Sequence, residues 1–208
     1  MQDKRYKIGI MGGTFDPIHI GHLILGEMAF EQFSLDQILF MPAGNPPHKQ
    51  NRTGRATDEQ RTEMVALAIE GNPHFALSLE EMNPDGYSYT YRTLERLNEK
   101  NPDVQYYFII GADSLCDFET WKEPERICQA ANIVVATRNN MDNAELDARI
   151  AHLTKKYNGT FLKLDSLNID ISSGMIRDSI RSKRTVKYYI ADAVIDYIET
   201  DNIYQQEL

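Results

Sequence analysis

Short apolar runs alternate along the chain with stretches whose apolar positions recur every three or four residues, the spacing of one helix face. Residues 6–11 form such a run, ending in Gly12-Gly13, and predict a first strand. Residues 22–33 follow with Leu23, Leu25, Met28, Ala29 and Phe33 at helical spacing. Residues 37–41 predict a second strand, stopped by Pro42. A helix over 57–70 is predicted next, with Thr57 as N-cap and Gln60 as its capping-box partner. Residues 75–79 read as strand, Asn83-Pro84-Asp85-Gly86 as a turn, and 90–100 as helix. Strands are predicted at 104–110, ending at Gly111, at 132–137 and at 160–164, with a helix over 142–157. Two helices close the chain, near 173–181 and 188–200. Strands separated by helices require crossover connections, so the expectation is an α/β, Rossmann-like fold with a mostly parallel sheet and helices on both faces.

The 208 residues fit a single domain, with a small helical C-terminal part from about residue 172. A net charge of -9 argues against a broad basic face for nucleic acid, but leaves room for a small anion in a local positive pocket. The N-terminus reads as a first strand, not a signal peptide, and no apolar stretch is long enough for a membrane span. Cys116 and Cys128 lack redox or zinc spacing, which suggests reduced thiols in the cytoplasm.

Parallel sheets bind ligands beyond the carboxyl ends of their strands, which directs attention to particular junctions. The first reads GGTFDPIHIGHL. Gly12 and Gly13 allow backbone to approach a ligand, and His19 and His22, three apart, share a helix start whose N–H groups suit phosphate. An ordinary helix-start pair and a metal site are the other readings of the two histidines. The glycine pattern is neither the P-loop nor the dinucleotide fingerprint. The second junction, AGNPPHKQNRTGRAT, carries His48, Lys49, Arg52 and Arg55, with no acidic residue between Asp36 and Asp58. It reads as a phosphate-capturing loop or as a solvated one. Ser88 to Leu94 reads as a helix start capped by Ser or Thr, with Tyr91 and Leu94 facing the core. In GADSLCDFETW, Asp113 could accept ribose hydroxyls, and Trp121, the only tryptophan, could stack on a ring or cover the core. In ISSGMIR, capping serines and Arg177 could hold phosphate oxygens or simply cap a surface helix.

The string GGTFDPIHIGH closely resembles the signature of the HxGH nucleotidyltransferase superfamily in its nicotinate mononucleotide adenylyltransferase form. Further matches run in order along nearly the whole chain. Pro42 through Pro47-His48-Lys49 resembles PxxxxPHK, Ser88 to Leu94 resembles SYTxxTL, Gly111 to Trp121 resembles GAD…W, and Ile171 to Arg177 resembles ISSTxIR. The last departs from the family at Gly174, where threonine is usual.

The resemblance implies a nucleotidyltransferase-type fold and transfer of AMP from ATP to nicotinate mononucleotide, by direct in-line attack without a covalent intermediate. Mg²⁺ would accompany ATP. It implies ATP contacts from Gly12, Gly13, Thr14, Phe15, His19, His22, Gly111, Asp113, Arg138, Ser172, Ser173 and Arg177. Asp16, His48, Lys49, Thr90 and Trp121 would contact nicotinate mononucleotide, and His22, His19, Lys49 and Arg177 would carry the chemistry. No role passes to Arg52 or Arg55. Nicotinamide mononucleotide or pantetheine phosphate as acceptor, and a nucleotide sensor without turnover, are the alternatives. A homo-oligomer is compatible with the resemblance, and neither nucleic acid nor a membrane is an expected partner.

Overall fold

The computed structural model describes residues 5–44, 54–82, 88–137 and 143–205. Its strands are β1 (Tyr6–Gly13), β2 (Gln37–Pro42), β3 (Phe75–Leu77), β4 (Val104–Gly111), β5 (Asn132–Ala136) and β6 (Phe161–Leu164). Its helices are α1 (Ile20–Phe33), α2 (Asp58–Ile69), α3 (Thr90–Lys100), α4 (Ala112–Asp117), α5 (Pro124–Ala130), α6 (Asn143–Tyr157), α7 (Ser173–Arg181) and α8 (Asp192–Thr200). The strands form one six-stranded, all-parallel sheet in the order β3-β2-β1-β4-β5-β6. The order reverses at β1: β2 and β3 extend to one side, β4 to β6 to the other. In such sheets the carboxyl ends at the reversal form the customary ligand crevice.

Burial explains the composition of the strands. Tyr106 to Ile110 of β4 and Ile133 to Val135 of β5 are buried without alternation, as expected for strands covered on both faces. The α2 capping box is present in full: the Thr57 hydroxyl accepts from the Gln60 N–H and the Gln60 side chain accepts from the Thr57 N–H.

Three elements depart from the expected pattern. Where the sequence placed a junction from Gly111 to Trp121 and no element before residue 132, the chain forms α4, a 3-10 turn over Phe118–Thr120, and α5. These are short, and Leu115, Phe118 and Ile127 are buried one by one, so they carry no long periodic signal. Helix α8 begins at Asp192 instead of residue 188, because the backbone is left-handed at Tyr188 (φ 69°) and extended at the N-cap Ala191 (ψ 146°), so no helical turn forms between them. The third strand stops at Leu77. The turn expected at 83–86 and residue 142 lie outside the described residues.

The chain divides into two compact units. The first comprises Met1–Gly12, Leu25–Leu39 and Tyr89–Asn168. In it Gly9 lets two side chains pack against the strand: a Cβ there would lie 2.5 Å from Ile38 Cδ1 and 2.9 Å from Leu35 Cδ1, and both ends would have to shift. The second comprises Gly13–Ile24, Phe40–Ser88 and Ile169–Leu208. Helices α2 and α8 pack in this unit, with Met64, Val65, Val194 and Ile198 in its core. Among the described residues no helix is long and apolar enough to cross a membrane.

Candidate active site

The described candidate residues fall into two groups, one in each unit. In the second unit, the chain leaves β1 through Gly13 and Thr14 and enters a left-handed turn at Phe15 (φ 47°). A residue with a Cβ is strained there. Packing holds it: the buried Phe15 ring meets His22 edge-on with centroids 5.0 Å apart and lies 6.1 Å from the Phe40 ring. The Asp16-Pro17 peptide that follows is cis.

His19 precedes α1 and is buried, and His22 lies in the first turn. Their rings stack with centroids 3.7 Å apart and planes 26° from parallel. The His19 backbone N–H donates to His22 Nδ1 at 3.2 Å. While that bond is made, Nδ1 carries no proton and Nε2 presents the N–H. His22 is thereby a neutral donor at the amino end of a helix whose first turn has no acidic residue. The glycine between the histidines has a steric cause, since a Cβ at Gly21 would lie 3.1 Å from His19 Nδ1 and press on the stacked ring.

The first turn of α7 is fastened to the same loop. Ser172 caps the helix, its hydroxyl accepting from the Met175 N–H at 3.2 Å. The Ser173 hydroxyl donates to the Pro17 carbonyl at 2.8 Å, and Arg177 Nη1 donates to the Asp16 carbonyl. Gly174 has no positive φ, and a Cβ there would meet nothing nearer than Ser172 Oγ at 3.8 Å and Arg177 Nη2 at 3.9 Å. The departure from the usual threonine therefore answers no backbone or packing need.

Two residues that sequence reasoning passed over belong to this group. Arg61, on α2 and 3% exposed, donates to the carbonyls of Thr14, Ala43 and Gly44 and to the Asp58 carboxylate. Its charge sits behind the loops that follow β1 and β2. Tyr204, 5% exposed, donates to Asp16 Oδ1 at 2.7 Å. Burial, together with the neighbouring Asp16 carboxylate, raises the Tyr204 phenol far above its ordinary range, so it stays a donor at any working pH. Asp16 was expected at the mononucleotide, but its carboxylate is 2% exposed and turned into the protein.

In the first unit, β4 ends at Gly111, where a Cβ would meet nothing within 4 Å. Asp113 is exposed in the first turn of α4. Trp121 is half-buried, its ring 5.4 Å from that of Phe118 and 6.2 Å from that of Phe108. It packs beside two core rings and stays half-buried. Exposed Gly12 ends this unit's part of β1, and a Cβ there would meet Phe108 only at an ordinary 3.5 Å. Thr90 is the first residue of α3, and Tyr91 and Leu94 are buried as expected. The cap differs from expectation: the N-cap is Tyr89, without a side-chain cap bond, while the Ser88 hydroxyl donates to the Glu81 carbonyl.

His48, Lys49, Arg52 and Arg138 lie outside the described residues. Arg55 lies within them, its Nη1 3.5 Å from Asp16 Oδ2. Among the described residues no group of three or more His, Cys, Asp or Glu side chains could hold a metal ion.

A parallel sheet with order reversed at β1, and a stacked imidazole pair at the amino end of the following helix, define a nucleotide-handling α/β protein. The cytidylyltransferase-like family matches residues 10–179, more than half of the chain. Two relatives carry the name "Probable nicotinate-nucleotide adenylyltransferase". One, from Clostridium botulinum (strain Alaska E43 / Type E3), is 43% identical over 98% of this chain and 100% of its own length. The other, from Thermoanaerobacter sp. (strain X514), is 36% identical over 99% of this chain and 97% of its own. The chain belongs to the nicotinate-nucleotide adenylyltransferases of the cytidylyltransferase-like family. Among solved structures, the Plasmodium falciparum nicotinic acid mononucleotide adenylyltransferase complexed with NaAD shares the fold. Its TM-score is 0.76 at 22% identity, over 97% of this chain and 98% of that one.

Proposed function

We infer that this chain transfers the AMP moiety of ATP to nicotinate mononucleotide, forming nicotinate adenine dinucleotide and pyrophosphate. The observation that carries the reading is the match over nearly the full length to relatives of that name, joined to the imidazole pair at the start of α1. A phosphate oxygen of nicotinate mononucleotide attacks the α-phosphorus of ATP in line. The bond from that phosphorus to the bridging oxygen breaks, and pyrophosphate leaves with the electron pair. The attacking phosphate is already ionised near neutral pH, so no side chain need remove a proton. The work of the site is alignment and stabilisation of charge.

In this reading His22 Nε2–H donates to the α-phosphate, and the backbone from Gly12 to Phe15 lies along the triphosphate. His19, Lys49, Ser172, Ser173 and Arg177 hold further phosphate oxygens. Gly111 and Asp113 take the ribose, and Arg138 lies by the adenine. Trp121 offers its indole to the pyridine ring, and Thr90, His48 and Lys49 complete the mononucleotide contacts. ATP enters as its Mg²⁺ complex, the cation travelling with the phosphates as part of the substrate. The cytoplasm is the proposed compartment, with Cys116 and Cys128 both free thiols. The sensor alternative gains no support at Gly174, where the space is open.

The test is pyrophosphate release from MgATP with nicotinate mononucleotide, the dinucleotide product identified by chromatography. Nicotinamide mononucleotide and pantetheine phosphate run as competing acceptors. Preferential turnover of the acid form is expected. No dinucleotide, or faster turnover of pantetheine phosphate, would overturn the reading.

A further inference from the structure

Asp16 and Tyr204 lie 188 residues apart in sequence and meet in the interior of the second unit. The Asp16 carboxylate is shared by four groups. Oδ1 accepts from the Tyr204 hydroxyl at 2.7 Å and from the Ala56 N–H at 3.1 Å. Oδ2 lies 3.5 Å from Arg177 Nη1 and 3.5 Å from Arg55 Nη1. At 2% exposure these partners stand where water would otherwise be, two as hydrogen-bond donors to Oδ1 and two as cations facing Oδ2, which accepts no hydrogen bond.

Arg177 is held twice by the same residue, since Nη1 also donates to the Asp16 carbonyl. That anchorage leaves Nη2 beside Gly174 in the first turn of α7. A guanidinium is a rigid plane, so fixing one nitrogen sets the direction of the others.

We propose that Asp16 and Tyr204 form a buried brace that aims Arg177 at the phosphates of ATP, making both positioning residues for the transfer reaction. The proposal rests on the adenylyltransferase reading above, in which Arg177 holds phosphate oxygens. It removes Asp16 from the mononucleotide contacts and gives the segment after α8 a part in the chemistry. The phenol does what water cannot do there: it supplies a fixed donor to Oδ1, leaving Oδ2 to the guanidinium. Tyr204 is itself locked in place, buried among side chains that include Met64, whose sulfur lies 4.0 Å from the hydroxyl.

The test is a double-mutant cycle with Tyr204→Phe, Arg177→Lys and both together. For each protein, kcat, both KM values, the melting temperature and the dissociation constant for MgATP by calorimetry are measured. Tyr204→Phe is expected to lower kcat about 5- to 20-fold and weaken MgATP binding, while the KM for nicotinate mononucleotide stays within about twofold. In the Arg177→Lys background the same change should cost less than about twofold, because the group it aims has gone. Multiplicative effects in the cycle, or a Tyr204→Phe protein equal to the parent in kcat and MgATP affinity, would overturn the brace. If Tyr204→Phe folds poorly, Asp16→Asn gives the second arm. It keeps an acceptor for Tyr204 but loses the charge facing Arg177, and its loss must likewise shrink in the Arg177→Lys background. The parent enzyme's own turnover separates failure of the brace from failure of the assigned reaction, and the MgATP calorimetry reads the brace without any turnover.

Discussion

The loop after β1 and the end of β4 are built in opposite ways. Around Asp16 the protein supplies its own partners: Tyr204 and Ala56 donate to Oδ1 of one carboxylate, Arg55 and Arg177 stand at ion-pair distance from Oδ2, which accepts no hydrogen bond, and Arg61 takes the carbonyls of Thr14, Ala43 and Gly44. At the end of β4, Gly111 faces open space, Asp113 is exposed, and Trp121 lies half-buried beside Phe118. The same contrast separates two carboxylates. Asp16 is buried, whereas Glu119, near Trp121, meets Arg149, His152 and Lys156 at the surface. On the proposed reading the difference has a chemical reason. A triphosphate carries dense charge, and donors fixed in advance need no reorganisation as charge moves in the reaction. A ribose and a pyridine ring are recognised by contact area and a few hydrogen bonds, for which a half-covered indole and an open carboxylate suffice.

That contrast is most sharply broken or upheld at His22. His22→Ala should lower kcat by about 10²–10³, the loss of one preorganised donor, read as pyrophosphate release. A loss below about threefold, roughly 0.6 kcal/mol in barrier, removes His22 from the reacting centre.

Arg61→Leu should act on folding before chemistry. Three carbonyls, one buried and two part-buried, lose their donor, at about 1 kcal/mol each, so a fall in melting temperature of roughly 6–12 °C is expected at this chain length. A melting temperature within about 2 °C of the parent would show that the two loops do not depend on that tie.

At the open end the expected effects are smaller and selective. Trp121→Ala should raise the KM for nicotinate mononucleotide about 2- to 10-fold, the worth of one ring stack, with the KM for ATP nearly unchanged. Equal rises in both would take the indole away from the pyridine ring. Gly174→Ala should fill open space on α7, adding up to about 1 kcal/mol of stability. Activity should stay within twofold, and a large loss would mean that this position requires the absence of a side chain.

The smallest effect belongs to Glu119. Hydrogen bonds from Lys156, then His152, hold its pKa down to about 2, against an ordinary 4.5. A depressed folded-state pKa stabilises the fold above pH 4.5, and this contribution fades as pH falls towards about 2. The melting temperature of Glu119→Gln should therefore lie slightly below the parent's at pH 7 and approach it in acid. Raised salt should also close the gap, since the cluster is solvent-exposed. A gap that widens in acid would contradict the assignment.

Legibility in the sequence followed the range of the interactions. The helix over 90–100, the α7 helix and the Thr57–Gln60 capping box were readable because periodicity and capping act within a few residues. The GG-T-FDP-x-H-x-GH string pointed to the family through its resemblance to a known signature, a likeness that the family match bears out. Helices α4 and α5 were not, since one or two turns carry too few positions to display a period. The start of α8 differs from the expected one because the apolar residues before it continue the helical spacing, while the left-handed backbone at Tyr188 and the extended backbone at Ala191 are invisible to it. Arg61 and Tyr204 carry no local pattern that marks them, one a charge within a helix and the other an aromatic after the last helix. Only long-range folding turns one into the partner of two loops and the other into the partner of Asp16.

The central claim is that the triphosphate is gripped where α1 begins. A crystal structure of the protein with a non-hydrolysable ATP analogue and Mg²⁺ addresses it directly. An α-phosphate oxygen is expected within hydrogen-bonding distance of His22 Nε2, with other phosphate oxygens on Ser173 and Arg177. Nucleotide bound away from residues 13–22, with the His19–His22 stack untouched, would contradict it.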